Sequence, residues 1–203
     1  MSNINSHGPL NTKYVNRIQT TLNNSLREHH RTLVLRIDLR LPELSPYNTD
    51  STLITRFMES IKSQKNADQI KKISNNKRCH PCRIRYAWAR EFSKNGKKHY
   101  HIALFLNKDA YAYPGTYKPN QDGGYHHNLA LMIMEAWVRA LKLDHQKYYN
   151  LVHFPDNCYT HLDINEITYP NDYDVVMKRL CYLAKDYSKD NSDGQRNFGC
   201  SQY

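Results

Sequence analysis

Two histidines one residue apart, His99 and His101, open the apolar run HYHIALFLN, and an acid, Glu91, stands a short way upstream. Imidazole and carboxylate together can hold a divalent cation such as Mg or Mn, if folding brings them within a few ångströms. Two surface histidines beside an exposed ion pair would leave the same trace, so the register of the chain has to decide. Further along, CYLAK places Tyr182 three residues before Lys185. A tyrosine hydroxyl ordinarily titrates near pH 10, and it attacks a phosphodiester when a nearby cation favours the phenolate. The lysine can also stabilise charge building on phosphorane oxygens. A boundary tyrosine beside solvated lysines has the same pattern.

The elements that must position these groups follow from periodicity. RIRYAWAREF and HYHIALFLN alternate as strands. Ile84, Tyr86 and Trp88 share one face with Tyr100, Ile102, Leu104 and Leu106; Arg83, Arg85 and Glu91 lie on the other face with His99 and His101. A two-residue Asn95-Gly96 turn would pair Glu91 with Tyr100 and put apolar residues on both faces. A three-residue loop, Lys94-Asn95-Gly96 with Gly96 left-handed, pairs Glu91 with His99 and keeps the faces clean. That register gathers Glu91, His99 and His101 on one patch, with cross-strand Cβ atoms about 5 Å apart.

Upstream, Tyr14, Ile18, Leu22 and Leu26 mark an amphipathic helix. RTLVLRIDLRLP is a strand burying Leu33, Leu35, Ile37 and Leu39, ended by Pro42; Asp38 on its polar face is the runner-up ligand. The turn-rich ELSPYNTD precedes a helix capped by Asp50 or Ser51 and carrying Leu53, Phe57 and Ile61. A helix over Asn128–Leu141 follows, then a hairpin about Pro155-Asp156-Asn157, then a last helix capped by Asn171 or Asp172. On that helix Tyr173, Val176, Leu180, Leu183 and Tyr187 form the buried stripe, while Tyr182 groups with Lys178, Arg179, Lys185 and Lys189. The sum is an α+β chain with a central antiparallel sheet flanked by helices. It divides into an N-terminal helical segment (1–30), a main domain (31–190) and a C-terminal tail (191–203) within one globular unit.

Lys and Arg number 29 against 19 acidic residues, a formal net charge of +10. That excess attracts polyanions, with nucleic acid foremost, and the 16 tyrosines add rings able to stack on bases. Arg36, Arg83 and Arg85 on the polar sheet face, with Lys178, Arg179 and Lys189, are the expected DNA contacts. No apolar run spans a membrane and no secretory leader is evident, and five irregularly spaced cysteines fit a reduced, cytoplasmic setting.

Taken in chain order, LVLRIDLRLP, then His99-Tyr100-His101 with an upstream acid, then Tyr182-x-x-Lys185 resembles an HUH-type rolling-circle replication initiator. AREFSKNGKKHYHIALFLN, CYLAK and the terminal RNFGCS resemble the YagK/YfjJ C-terminal-domain family, which includes inovirus-type replication proteins, over roughly Arg31 to Ser201. The resemblance implies that residues 31–190 are an HUH-type nuclease domain of phage or prophage origin in a bacterial host. It implies a metal-dependent nick of single-stranded or hairpin origin DNA. Tyr182 would form a 5′-phosphotyrosine and free a 3′-OH for the host polymerase; His99, His101 and Glu91 would hold Mg or Mn. With a histidine motif before a single tyrosine and no helicase motif, unwinding would fall to the host. Two rivals stand beside this reading. One is a non-catalytic DNA-binding regulator; the other is structural zinc on Cys79 and Cys82 with Cys158, Cys181 or Cys200.

Overall fold

A computed structural model of the chain describes residues 8–43, 47, 49–93, 95–187, 189–190 and 192–202. The alternating strands form as their side chains dictate. β1 (Arg31–Arg40), β2 (Arg85–Phe92) and β3 (Lys98–Asn107) lie antiparallel, with β3 between the other two. Glu91 pairs with His99, the register expected from the hairpin, and on the other side of β3 Asp38 pairs with His101. Gly96 takes φ +70°, and the Ser93 N–H donates to the Lys97 carbonyl at 3.0 Å to close the turn; Lys94 lies outside the described residues, as does part of the ELSPYNTD turn.

On the expected core face, Leu33, Leu35, Ile37, Leu39, Ile102 and Leu104 are fully buried. They pack under α2 (Leu53–Ser74) and α3 (Leu129–Ala140). Asn128 caps α3 by accepting from the Leu131 N–H at 2.8 Å. At α2 the cap is Thr52, not Asp50 or Ser51; Asp50 instead accepts the Thr52 N–H at 2.8 Å and pairs with Arg56.

The second face departs from the sequence reading. It is not an open polar surface. Val34, Ala87, Ala89, Ala103 and Phe105 form a second core with Ile18, Leu22 and Leu26 of α1 (Thr12–Glu28) and Val176 and Leu180 of α4 (Tyr169–Leu180). Three alanines at the middle of the sheet leave room for α1 and the end of α4 to close down on it, which strand alternation alone does not reveal.

Three further elements differ. The expected hairpin about Pro155-Asp156-Asn157 is one interrupted edge strand: β4 (Val152–His153) and β5 (Tyr159–Asp163) both pair antiparallel with β1 and not with each other. Between them Asn157 takes φ 52°, and the Cys158 carbonyl accepts the Arg36 N–H at 2.7 Å, so the strand bulges and resumes. α4 starts earlier than expected, with Thr168 at its cap and Pro170 in its first turn, and ends at Leu180. Cys181–Ala184 then wind as a 3₁₀ turn, and Lys185 is extended (φ −59°, ψ 140°). Residues 198–200, assigned by sequence to a tail, form β6 beside β2 and complete a six-stranded sheet. Among the described residues no helix is long and apolar enough to cross a membrane.

Candidate metal and nucleophile site

The site is built from three neighbouring strands and the turn after α4. Cross-strand pairing puts Glu91 of β2 opposite His99 of β3, and His101 opposite both Asp38 of β1 and Ala89 of β2. The His99 and His101 Nε2 atoms stand 3.2 Å apart, and His101 Nε2 lies 3.4 Å from Glu91 Oε2. One donor atom from each of Glu91, His99 and His101 falls within 4.8 Å of the others, the one such group of three among the described residues. Two nitrogens at that separation can each reach one ion at about 2.1 Å with an angle near 90°, the octahedral demand of Mg and Mn. Their chemistry therefore fits a divalent cation.

Asp38 does not join that group. Its Oδ1 accepts from His101 Nδ1 at 2.5 Å and its Oδ2 contacts His153 Nδ1 at 3.2 Å. A carboxylate on Nδ1 fixes the His101 tautomer and turns Nε2 toward Glu91 and His99, the usual outer partner of a ligating imidazole. Burial alone would raise the Asp38 pKa, but the bonds from His101 and His153 and the nearby Arg36 guanidinium hold it at about 2. His101 is pushed the other way: burial disfavours its charge, yet Asp38 and Glu91 outweigh that and raise its pKa. Burial and the facing His101 ring lower that of His99.

Over this patch sits the turn carrying Tyr182. Its ring meets the His101 ring edge-on at 5.0 Å. Lys185 Nζ stands 3.2 Å from the Tyr182 ring centroid and 3.3 Å from Glu91 Oε2, linking the aromatic to the donor set. On burial grounds Lys185 would lose basicity; contacts with Tyr182, Glu91 and Tyr187 reverse that and raise its pKa. The Arg36 guanidinium lies 5.4 Å from the Tyr182 ring and donates to the Arg179 carbonyl at 3.1 Å, with its Nε buried and unbonded.

The change from α-helix to 3₁₀ turn re-phases the side chains expected on one continuous helix. Lys185, placed by sequence on a solvated cationic face, is 2% exposed. Tyr187, placed on the buried stripe, is 67% exposed, with its ring 5.0 Å from Lys185 Nζ. The turn is held by the N-terminal segment: Asn11 N–H donates to the Ala184 carbonyl at 2.8 Å, Asp186 N–H to the Pro9 carbonyl at 3.2 Å, and Leu10 bridges Lys185. Asn11 then caps α1 through the Tyr14 N–H.

The expected DNA contacts divide. Arg83 and Lys178 are exposed, Arg179 and Lys189 half-buried. Arg85 is buried under α1 in an ion pair with Glu28 at 3.1 Å, so no open sheet face presents it. Sequence reasoning missed Arg90, which is 1% exposed and binds Asp193, Gln195 and Asn197, anchoring the segment before β6. The zinc reading of the cysteines finds no support among the described residues, where no cysteine belongs to a group of three possible metal donors. Cys82 Sγ turns inward to accept the Asn107 N–H at 3.4 Å, burial pushes its thiol to about 11, and all five cysteines are free.

Fold and site thus define an α+β chain with a His/His/Glu donor set on its sheet and an aromatic, cationic turn above it. Its family is shown by comparison: the YagK/YfjJ C-terminal domain matches residues 2–201, and the chain belongs to that family. It is 37% identical over 205 residues to YagK of Escherichia coli (strain K12), covering 97% of this chain and 96% of YagK. It is 34% identical over 201 residues to YfjJ of the same strain, covering 93% of each. No solved structure matches the chain.

Proposed function

We propose that the chain is an HUH-type, metal-dependent single-strand DNA endonuclease that initiates rolling-circle replication of a phage or prophage element. The observation that carries this reading is the contact of Tyr182 with His101, the central member of the donor set, while Lys185 touches both Tyr182 and Glu91. A nucleophile, a cation and a ligand triad meet within one layer of side chains.

Glu91, His99 and His101 would hold Mg or Mn, and the ion when bound supplies polarisation of the scissile phosphate. The Tyr182 oxygen attacks phosphorus, the bond to the 3′-oxygen breaks, and the tyrosine proton passes through solvent to that leaving oxygen. A 5′-phosphotyrosine and a free 3′-OH result, the latter a primer for a host polymerase, with a host helicase unwinding ahead. Lys185 faces the charge that builds on the phosphorane. Arg36, 5.4 Å from the Tyr182 ring, adds positive charge there. Asp38 and His153 keep His101 aimed. The setting is the bacterial cytoplasm.

The test is a denaturing gel with labelled single-stranded DNA from the replicon's intergenic region and Mn. Wild type should form a covalent adduct, and EDTA or His99→Ala/His101→Ala should abolish it. Tyr182→Phe, which removes one oxygen, should also abolish it, and Tyr187→Phe should keep it. An adduct that survives Tyr182→Phe and disappears in Tyr187→Phe would assign the chemistry to the wrong tyrosine. A wild-type protein that shifts a supercoiled origin plasmid without relaxing it would be a DNA-binding regulator instead.

A further inference from the structure

A groove runs along the β6 edge of the sheet, away from the ligand triad. Three hollows make it, of about 420, 640 and 450 Å³, and each shares lining residues with the next. The first and second share Trp88 and Arg196; the second and third share Arg17 and Gln202. Trp88, 9% exposed, backs the groove from the core, lying so close over Gly199 that a Cβ there would come within 2.6 Å of the indole. Arg17, Lys62 and Arg196 line the walls, all exposed, and none forms an ion pair among the described residues. One carboxylate, Glu59, faces them. Tyr86 adds a ring with Lys62 Nζ at 5.4 Å from its centroid.

A ladder of side chains joins this groove to the site. Lys189 Nζ donates to the Lys185 carbonyl and stands 5.9 Å from the Tyr14 ring centroid. The Tyr14 ring stacks on Phe198 at 4.3 Å, and the Arg17 guanidinium lies 5.5 Å over Phe198 from the groove side. Two lysines, two stacked aromatics and an arginine thus run in contact from Lys185 to the groove wall.

We infer that this groove binds the single-stranded DNA flanking the scissile phosphate, with Arg17, Lys62 and Arg196 on successive phosphates and the half-buried Tyr86 ring, backed by Trp88, beneath the bases. This rests on the nuclease reading for its purpose, but not for its measurement. A narrow track with three unpaired cations, one acid and an aromatic floor matches a polyanion whose flat bases tolerate any sequence. An acidic peptide shares the charge but would leave the aromatic floor unused. The terminal RNFGCS motif thereby acquires a role: Arg196 is a phosphate contact, and Gly199 keeps the floor flat.

The experiment measures binding of fluorescent dT30 to the full chain without metal, in a Tyr182→Phe background, so that nicking is irrelevant. Arg17→Ala/Lys62→Ala/Arg196→Ala should weaken binding at least about tenfold and reduce the salt slope by about 2, three single-strand phosphates at roughly 0.7 each. A control with the same charge change elsewhere, Lys71→Ala/Lys77→Ala/Arg78→Ala, should change little. Equal losses in both triples, or an unchanged slope in the first, would overturn the groove. So would a polyglutamate peptide that binds wild type as tightly as dT30 and loses as much in the groove variant. Since the nuclease reading fails only on the adduct gel, the two failures are distinct.

Discussion

Lys185 is the residue whose surroundings differ most from the sequence reading. It is buried against Glu91 at 3.3 Å, with each side chain 3% exposed, so it belongs to a desolvated ion pair as well as to the tyrosine. Removing one partner of such a pair strands the other charge, at a cost of about 3–5 kcal/mol. Lys185→Met should therefore lower the urea midpoint strongly and slow adduct formation by about 10²-fold. Adding Glu91→Gln should recover most of the stability and none of the activity, because it removes the stranded charge along with a ligand. Recovery of the adduct in the double variant would mean that Lys185 acts only through stability. The triad itself was legible in the residues, since face alternation and a left-handed Gly96 admit one register. Lys185's burial was not, because it depends on the backbone leaving the helix at Leu180.

At the scale of elements, the periodic segments formed where hydrophobic spacing put them, and the misreadings lie where tertiary contacts override local pattern. No glycine or proline stops α4. The 3₁₀ turn that follows it is held instead by the Pro9–Asn11 segment, a partner far off in sequence, through the Asn11 N–H on the Ala184 carbonyl. The β4–β5 edge failed as a hairpin because β1 offers one continuous edge to both pieces. β6 escaped notice because three residues carry no period. Its glycine is the sharpest local test. Gly199→Ala pushes a methyl against Trp88, and with a neighbour packed by Tyr100 the indole has little room to yield. A loss of about 1–3 kcal/mol is expected, read as a lower melting temperature. An unchanged melt would show that the β6 edge is loosely held.

For the molecule as a whole, the charge is large but unevenly available. Both sheet faces are covered, so the +10 excess acts through edges and helix surfaces, not through an open sheet. If about six phosphates of a single strand are contacted, the salt slope should be about −4, and affinity should fall about 300-fold between roughly 50 and 200 mM salt. Fluorescence titration of wild type with dT30 over that range measures it directly. A flat response would remove electrostatics as the source of binding. Composition made the cationic excess legible; where the cations stand free of carboxylates required the fold.

The hydrogen bond from Asn11 to Ala184 has one more consequence, for the order of events in biosynthesis. The two residues are about 170 positions apart, so the bond closes one of the longest loops in the chain and cannot form early. A ribosome would release the donor strands β1, β2 and β3 long before the segment bearing Tyr182, and that segment docks only onto a finished α1. Nascent chains would therefore carry Glu91, His99 and His101 together before Tyr182 is laid over them.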